Sequence, residues 1–381
     1  MSDVVSRIFD SWSRGRNVLL YGPPGTGKTR ILSELFRRLQ GSNQNSDSLE
    51  IGEGSSMAMP LFRSQQQLPI PTPAKVVWTT FHQSYTYEDF VLGLKPAYQD
   101  GGMYLEPWAG VLFDAALELK DSGSSYNSVV LFIDEINRGN AARIFGEFMT
   151  FLDFDYREGG TFPLPVPLRQ LSFINGVSED INRPDGGTAS IPRMFYFPRD
   201  IYIVATMNSV DRAAVPIDSA LARRFDRIRV HPSEEVLTEY WGITPSTNRT
   251  NCQELSAYQC AIRIFHRLND GIASYLGPEF ELGHGLFMGI EGGHEDDQTS
   301  WEQLARVWDE MIFPQIEDRF SGRNDLLLDL LKATDPPTSG NYAWQVRNSV
   351  VTTGEASALI PVNMFDLDLD TIIRSFRWLA K

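Results

Sequence analysis

The sequence predicts an α/β fold: a parallel β-sheet covered by helices, followed by a smaller helical domain. Three observations lead there. Continuous apolar runs at 17–21, 75–81, 129–134 and 201–208 alternate with segments of helical period, the pattern of strands buried on both faces. The first of these runs opens into GPPGTGKT (22–29), and a helical apolar stripe follows directly behind it. After about residue 231 the strand signal fades and helical patterns dominate.

The elements follow in order. NVLLY (17–21) is the first strand, and Ile31, Leu32, Leu35, Phe36 and Leu39 form one face of the next helix until Gly41 breaks the pattern. Residues 41–73, rich in Ser, Gln, Gly and Pro, read as a long surface insert. KVVWTTF (75–81) reads as a buried strand and PWAGVLFDAALELK (107–120) as an amphipathic helix. VVLFID (129–134) is an apolar strand ending in an acid. Ile144, Phe148, Phe151 and Leu152 then mark one face of a helix over 138–152. Residues 155–200 carry many Gly, Pro and Asn and read as a second irregular insert, with a β-hairpin near FPLPVPL. IYIVATMN (201–208) is a strand, and LARRFDRIRV (221–230) leads into a last one. The division expected is a core at 1–230, a helical domain at 231–335, and a tail at 336–381 of unclear role.

Size and composition narrow the function. A chain of 381 residues can bury a full core without disulfides. With 42% apolar and 22% charged residues it is an ordinary globular chain, so global disorder and fibrous designs are excluded. The 34 basic and 49 acidic side chains give a net charge of −15, a poor field for binding nucleic acid unaided. Cys252 and Cys260 fit no zinc or redox spacing and read as buried thiols in a reducing cytosol. The N-terminus has no signal-peptide core, and no apolar run approaches the ~20 residues of a membrane span. The expected location is cytoplasmic.

GPPGTGKT matches the phosphate-loop pattern G-x-x-x-x-G-K-[ST] in its required context, between strand and helix. Gly22, Pro23, Pro24, Gly25, Thr26 and Gly27 form the loop, whose backbone amides and following helix N-terminus face an anion. Lys28 supplies positive charge to the phosphates, and Thr29 offers a hydroxyl to Mg²⁺. Asp134, at the end of a buried strand, is placed to hold Mg²⁺, and Glu135 to orient or deprotonate the attacking water. Asn208, closing a neighbouring strand, can hold the same water; its plainer role is to cap a turn. Arg223 and Arg224 are either surface charge or, in a ring, a finger onto a neighbour's nucleotide.

With these residues placed, the chain resembles the AAA+ superfamily, and within it the McrB family of NTP-driven motor subunits of modification-dependent restriction systems. Four segments carry the resemblance: GPPGTGKT (22–29), FHQSYTYEDFVLGLKP (81–96), FIDEINRGNAARIFGEFM (132–149) and MNSVDRAAVPIDSALARRF (207–225). Weaker echoes are LGPEFELGHGLF (276–287) and VWDEMIFPQIEDRF (307–320). The resemblance implies a P-loop NTPase core with a helical lid, a hexameric ring with nucleotide between subunits, Mg²⁺, and ATP or GTP as substrate. It also implies activation by an McrC-like nuclease or effector subunit, in anti-phage defence. Asn137, Arg138, Asp211 and Arg212 become further site candidates by the same route.

Two departures from the family pattern bear on function. Only 21 residues precede the phosphate loop, so DNA is expected to be read only indirectly, through another chain. The family's MNTADRS segment is MNSVDRA here, which leaves ATP and GTP both open. The alternative function is a MoxR-like AAA+ chaperone or remodeller of protein complexes; a nucleotide-gated scaffold without turnover is a third reading. Among the histidines, His82 reads more simply as packed than as a ligand. His284 stands where some lids place a nucleotide sensor. The acidic stretch 292–298 reads as a solvated loop.

Overall fold

The computed structural model describes residues 2–43, 68–99, 102–173, 177–210, 215–243, 254–291, 298–331, 344–351 and 354–381. They form two compact units. One is Met1–Tyr21 with Lys28–Arg229; the other is Gly22–Gly27 with Val230–Lys381. Most of the expected 41–73 insert lies outside the described residues, as do Cys252, Asp211, Arg212 and all of the acidic stretch but Gln298.

In the first unit, helix α1 (Ser2–Ser13) buries Val5, Ile8, Phe9 and Trp12, spaced to fall on one face. Strand β1 (Asn17–Gly22) is almost wholly buried. Helix α2 (Lys28–Asn43) buries Ile31, Leu32, Leu35 and Leu39, while Phe36 is left 40% exposed. Then come β2 (Ala74–Thr80), α3 (Tyr87–Phe90), β3 (Leu92–Gln99), β4 (Gly102–Ala109), α4 (Val111–Lys120), β5 (Ser128–Asp134) and α5 (Ala141–Phe145). The unit ends with β6 (Ser178–Asn182), β7 (Thr188–Pro192), β8 (Ile201–Asn208), α6 (Ser219–Ala222) and β9 (Phe225–Arg229).

The main sheet has the order β2-β5-β8-β1-β9. The β2–β5, β5–β8 and β1–β9 pairs are parallel, with Thr80 opposite Asp134 and Phe132 opposite Val204. Parallel registers bring the C-terminal ends of β5 and β8 side by side, which sets Asp134 and Asn208 at one mouth of the sheet. β5 and β8 are buried on both faces and correspondingly apolar. β2, expected to be buried, is the sheet's edge; it mixes polar and apolar residues and leaves Trp78 exposed. Asn17 is fully buried yet satisfied: its Nδ2 donates to the Leu152 carbonyl at 2.9 Å and its Oδ1 accepts from Ile203 N–H at 3.1 Å.

Two further expectations for this unit are corrected. The helix over 138–152 is a short α5 followed by a 3₁₀ segment, because Gly146 ends α5 at φ 51°. Its predicted inner residues Ile144, Phe148, Phe151 and Leu152 are nonetheless buried. The stretch 155–200 is no surface loop. Val166, Leu168, Leu171, Phe195 and Phe197 are core residues, and its hairpin is β6–β7, part of a second sheet of order β3-β4-β6-β7. No ladder forms at FPLPVPL, where Pro163, Pro165 and Pro167 lack donors; Pro165 makes only an isolated bridge to Tyr196.

Arg157 holds this stretch in place. It is fully buried and donates to the carbonyls of Phe151 (2.6 Å), Leu152 (3.3 Å), Arg199 (3.1 Å) and Ile201 (2.5 Å). Its guanidinium lies 3.8 Å from the Phe154 ring centre. Burial pulls its pKa down to about 9. In the same unit the buried Arg183, just after β6, is held to α4 through Asp114 (2.7 Å) and Glu118 (3.0 Å).

The second unit is mainly helical: α7 (Glu234–Trp241), α8 (Ala257–Leu276), α9 (Gln298–Val307), α10 (Phe313–Arg319), α11 (Asn324–Leu330) and α12 (Leu369–Leu379), with an antiparallel hairpin of β10 (Trp344–Val351) and β11 (Gly354–Pro361). Between α9 and α10 the chain makes a π turn at Trp308–Ile312, next to Pro314, which cannot donate to a helical ladder. The C-terminal segment is not a loose tail. Met364, Ile372, Phe376 and Leu379 enter the same core as Ile264, Leu268, Leu304 and Ile316. The Asp309 carboxylate fastens it by accepting the N–H groups of Met364 (3.0 Å) and Phe365 (2.9 Å).

Candidate active site

The segment 22–29, read from the sequence as a phosphate loop, lies between a strand and a helix. β1 ends at Gly22, α2 starts at Lys28, and between them Gly25 and Gly27 adopt φ of 76° and 80°, where a side chain would be strained. Thr26 is buried and closes the turn by donating to the Pro23 carbonyl at 2.9 Å. Lys28 is buried, and Thr29 is exposed in the first turn of α2. Burial lowers the Lys28 pKa to about 8, against the opposing pull of Glu135 and Asp134. A lysine held this way is a pre-placed charge that gains from the arrival of an anion.

Asp134 and Glu135 leave β5 together. Glu135 sits in the left-handed region at φ 54°, ψ 48°, which turns its side chain off the strand line. Its carboxylate Oε1 accepts from Asn208 Nδ2 at 2.5 Å, and Arg138 Nε lies 3.5 Å from Oε2. Asn137, nearly fully buried, donates from Nδ2 to the Asn208 carbonyl at 3.1 Å, while its own carbonyl accepts from Val215 N–H at 2.8 Å. Among the described residues its Oδ1 has no partner. Lys28, Asp134, Glu135, Asn137, Arg138 and Asn208 thus form one connected group.

Thr206 is the member the sequence reading missed. It is 1% exposed, and its hydroxyl donates to the Asp134 carboxylate while accepting the Glu135 N–H at 3.1 Å. The available signal was its position two residues before Asn208, on the same face of β8. One hydroxyl therefore fixes both acids.

The two arginines differ. Arg224 is turned inward: its Nε donates to Asp153 at 3.0 Å and its Nη1 to the Ala220 carbonyl at 2.8 Å. Arg223 is exposed, its carbonyl held by Arg16 Nη2 at 2.7 Å. His82 is exposed rather than packed, with an edge contact to Tyr85. His284 is buried and takes the Ser233 N–H on Nδ1 at 3.3 Å.

Known proteins resemble the chain in both of its units. Residues 65–225 match the model of the AAA domain (dynein-related subfamily), and residues 261–327 match the McrB alpha-helical lid domain. The chain is 28% identical over 312 residues to the Type IV methyl-directed restriction enzyme EcoKMcrB subunit of Escherichia coli K12, covering 80% of this chain and 54% of the relative. It is 24% identical over 232 residues to the Type II restriction enzyme BsuMI component YdiS of Bacillus subtilis 168, covering 55% of each. The chain spans about half the length of these curated relatives. Both relatives are restriction components, which does not favour the protein-remodelling alternative. With an AAA-domain match over the segment that holds Asp134, Glu135 and Asn208 and a McrB-lid match behind it, the chain is similar to the McrB-like AAA+ ATPases.

Proposed function

We propose that this chain is the motor subunit of an McrBC-like restriction system: an Mg²⁺-dependent NTPase that works as a ring, a hexamer in the family's manner, and drives a separate nuclease subunit. The observation that carries the reading is Glu135, held by Asn208 and placed beside the buried Lys28. Asp134 and the Thr29 hydroxyl are hard oxygen donors and fit Mg²⁺, which when bound would neutralise charge on the phosphates. Lys28 stabilises the charge that builds on the transferring phosphoryl group. Glu135 takes a proton from the attacking water, with Asn208 fixing the carboxylate's orientation. Arg223, exposed and next to the inward Arg224, is the residue free to reach a neighbouring subunit's triphosphate.

A chain with net charge −15 leaves DNA recognition to a partner. Among the described residues no helix is long and apolar enough to cross a membrane. The test is phosphate release with ATP and with GTP, for the parent chain and Glu135→Gln, at several protein concentrations. Turnover that rises faster than linearly with protein and vanishes in the variant supports a ring-assembled motor. Turnover that persists in Glu135→Gln refutes the assigned chemistry.

A further inference from the structure

We infer that the turn Gly283–His284–Gly285 is a positioning element for the phosphate loop. The inference rests on reading 22–29 as the phosphate site. Gly22–Gly27 belong to the same compact unit as residues 230–381. The reason is direct backbone contact. Gly285 N–H donates to the Gly25 carbonyl at 2.8 Å. A Cβ added to Gly283 would lie 2.2 Å from the Pro24 oxygen and 2.3 Å from the Gly25 carbonyl carbon, and one on Gly285 would lie 2.9 Å from the Gly25 oxygen. Only glycine at 283 allows two main chains to touch there.

The turn is itself anchored on both sides. Asn269, buried in α8, brackets Leu282, accepting its N–H at 2.6 Å and donating to its carbonyl at 3.1 Å. His284 Nδ1 takes the Ser233 N–H, and Phe287 and Ile290 are fully buried in the helical core. A rigid turn therefore grips the carbonyl of Gly25, whose φ of 76° sets the direction of the loop amides that follow. The helical unit acts on phosphate through main chain, not through a charged side chain. Its effect is on the phosphate chain of the ligand and is the same for either base.

The experiment measures affinity for Mg·ATP, Mg·GTP and tripolyphosphate, with melting temperature, in the parent chain and three variants. Gly283→Ala wedges the turn off the loop and is expected to weaken all three ligands by about tenfold or more, since a shift on the order of 1 Å is enough to misplace the binding groups. Gly285→Ala carries the milder clash and is expected to weaken them less. Gly271→Ala, on α8 against Leu330, disturbs the helical core without touching the loop and should leave affinity within about twofold whatever its melting temperature. If Gly283→Ala fails to fold, Gly285→Ala decides. Folded Gly283→Ala or Gly285→Ala proteins that bind all three ligands as the parent does overturn the inference alone. A parent chain that binds none of them overturns the phosphate reading, and the inference with it. Losses confined to one nucleotide, with tripolyphosphate unaffected, also overturn it.

Discussion

Asn208 donates its side-chain amide to the carboxylate of Glu135, joining the ends of two neighbouring parallel strands across the mouth of the sheet. Replacing Glu135 by Gln keeps the shape but removes the base. Turnover should fall by about 10²–10⁴-fold, while nucleotide affinity stays near the parent value. Single-turnover phosphate release beside equilibrium binding checks this; a parallel loss of both would assign Glu135 to binding.

The two adjacent arginines should separate cleanly. Arg224→Ala breaks an inward ion pair and a carbonyl contact, and should cost about 1.5–3 kcal/mol of stability, read as a lower melting temperature. Arg223→Ala should leave melting unchanged and reduce assembly-dependent turnover by about 10³-fold. Mixing Arg223→Ala with Glu135→Gln subunits tests action across an interface, because each subunit then supplies what its neighbour lacks.

Lys28 makes binding depend on pH with a defined sign. With its pKa near 8 in the free protein, about half the lysines are neutral at pH 8, and a bound triphosphate favours the charged form. Binding at pH 8 should take up about half a proton, and affinity should fall as pH rises above 8, by at most about tenfold per unit. Calorimetry in buffers of different ionisation enthalpy reads the uptake. Stability has the opposite sign: the unfolded chain holds the Lys28 proton up to its ordinary value of 10.5, so this group's contribution to stability rises between pH 8 and 10.5.

Arg157→Met should be among the most damaging substitutions in the first unit, although it touches no acid of the site. It would leave buried carbonyls at Phe151 and Ile201 without their donor, at about 1–3 kcal/mol each. Arg157→Lys should rescue only part, since an ammonium cannot reproduce the planar fork. Chemical denaturation with a single probe is sufficient to rank the three proteins.

Much of the site was legible because its chemistry is written in contiguous segments. The phosphate loop, the acid pair after β5 and the amide at the end of β8 each occupy a strand terminus, and parallel pairing brings strand termini together. Thr206 was not legible, since a threonine inside an apolar strand looks like ordinary β-propensity until the register places it against Asp134. Nor was the inward turn of Arg224, which depends on Asp153 far away in sequence. In the fold, period failed where tertiary packing overrode it. The proline-rich 155–200 stretch lacks periodicity yet supplies Val166, Leu168, Leu171, Phe195 and Phe197 to the core, and Arg157 ties its two ends to the carbonyls of Phe151 and Ile201. The C-terminal segment was unreadable because its helix α12 packs against α8 and α9, which lie outside any local window.

The bond between Gly25 and Gly285 also has a history in time. The phosphate loop leaves the ribosome early, but the residues that grip it are translated about 260 positions later, tens of seconds afterwards at ordinary elongation rates. Until then the loop lacks the contact that holds it, so a nascent or truncated chain carries the motif without its finished geometry. On the phosphate reading proposed above, competence to hold a triphosphate is a late event in biosynthesis, acquired only once residues 283–285 have been made.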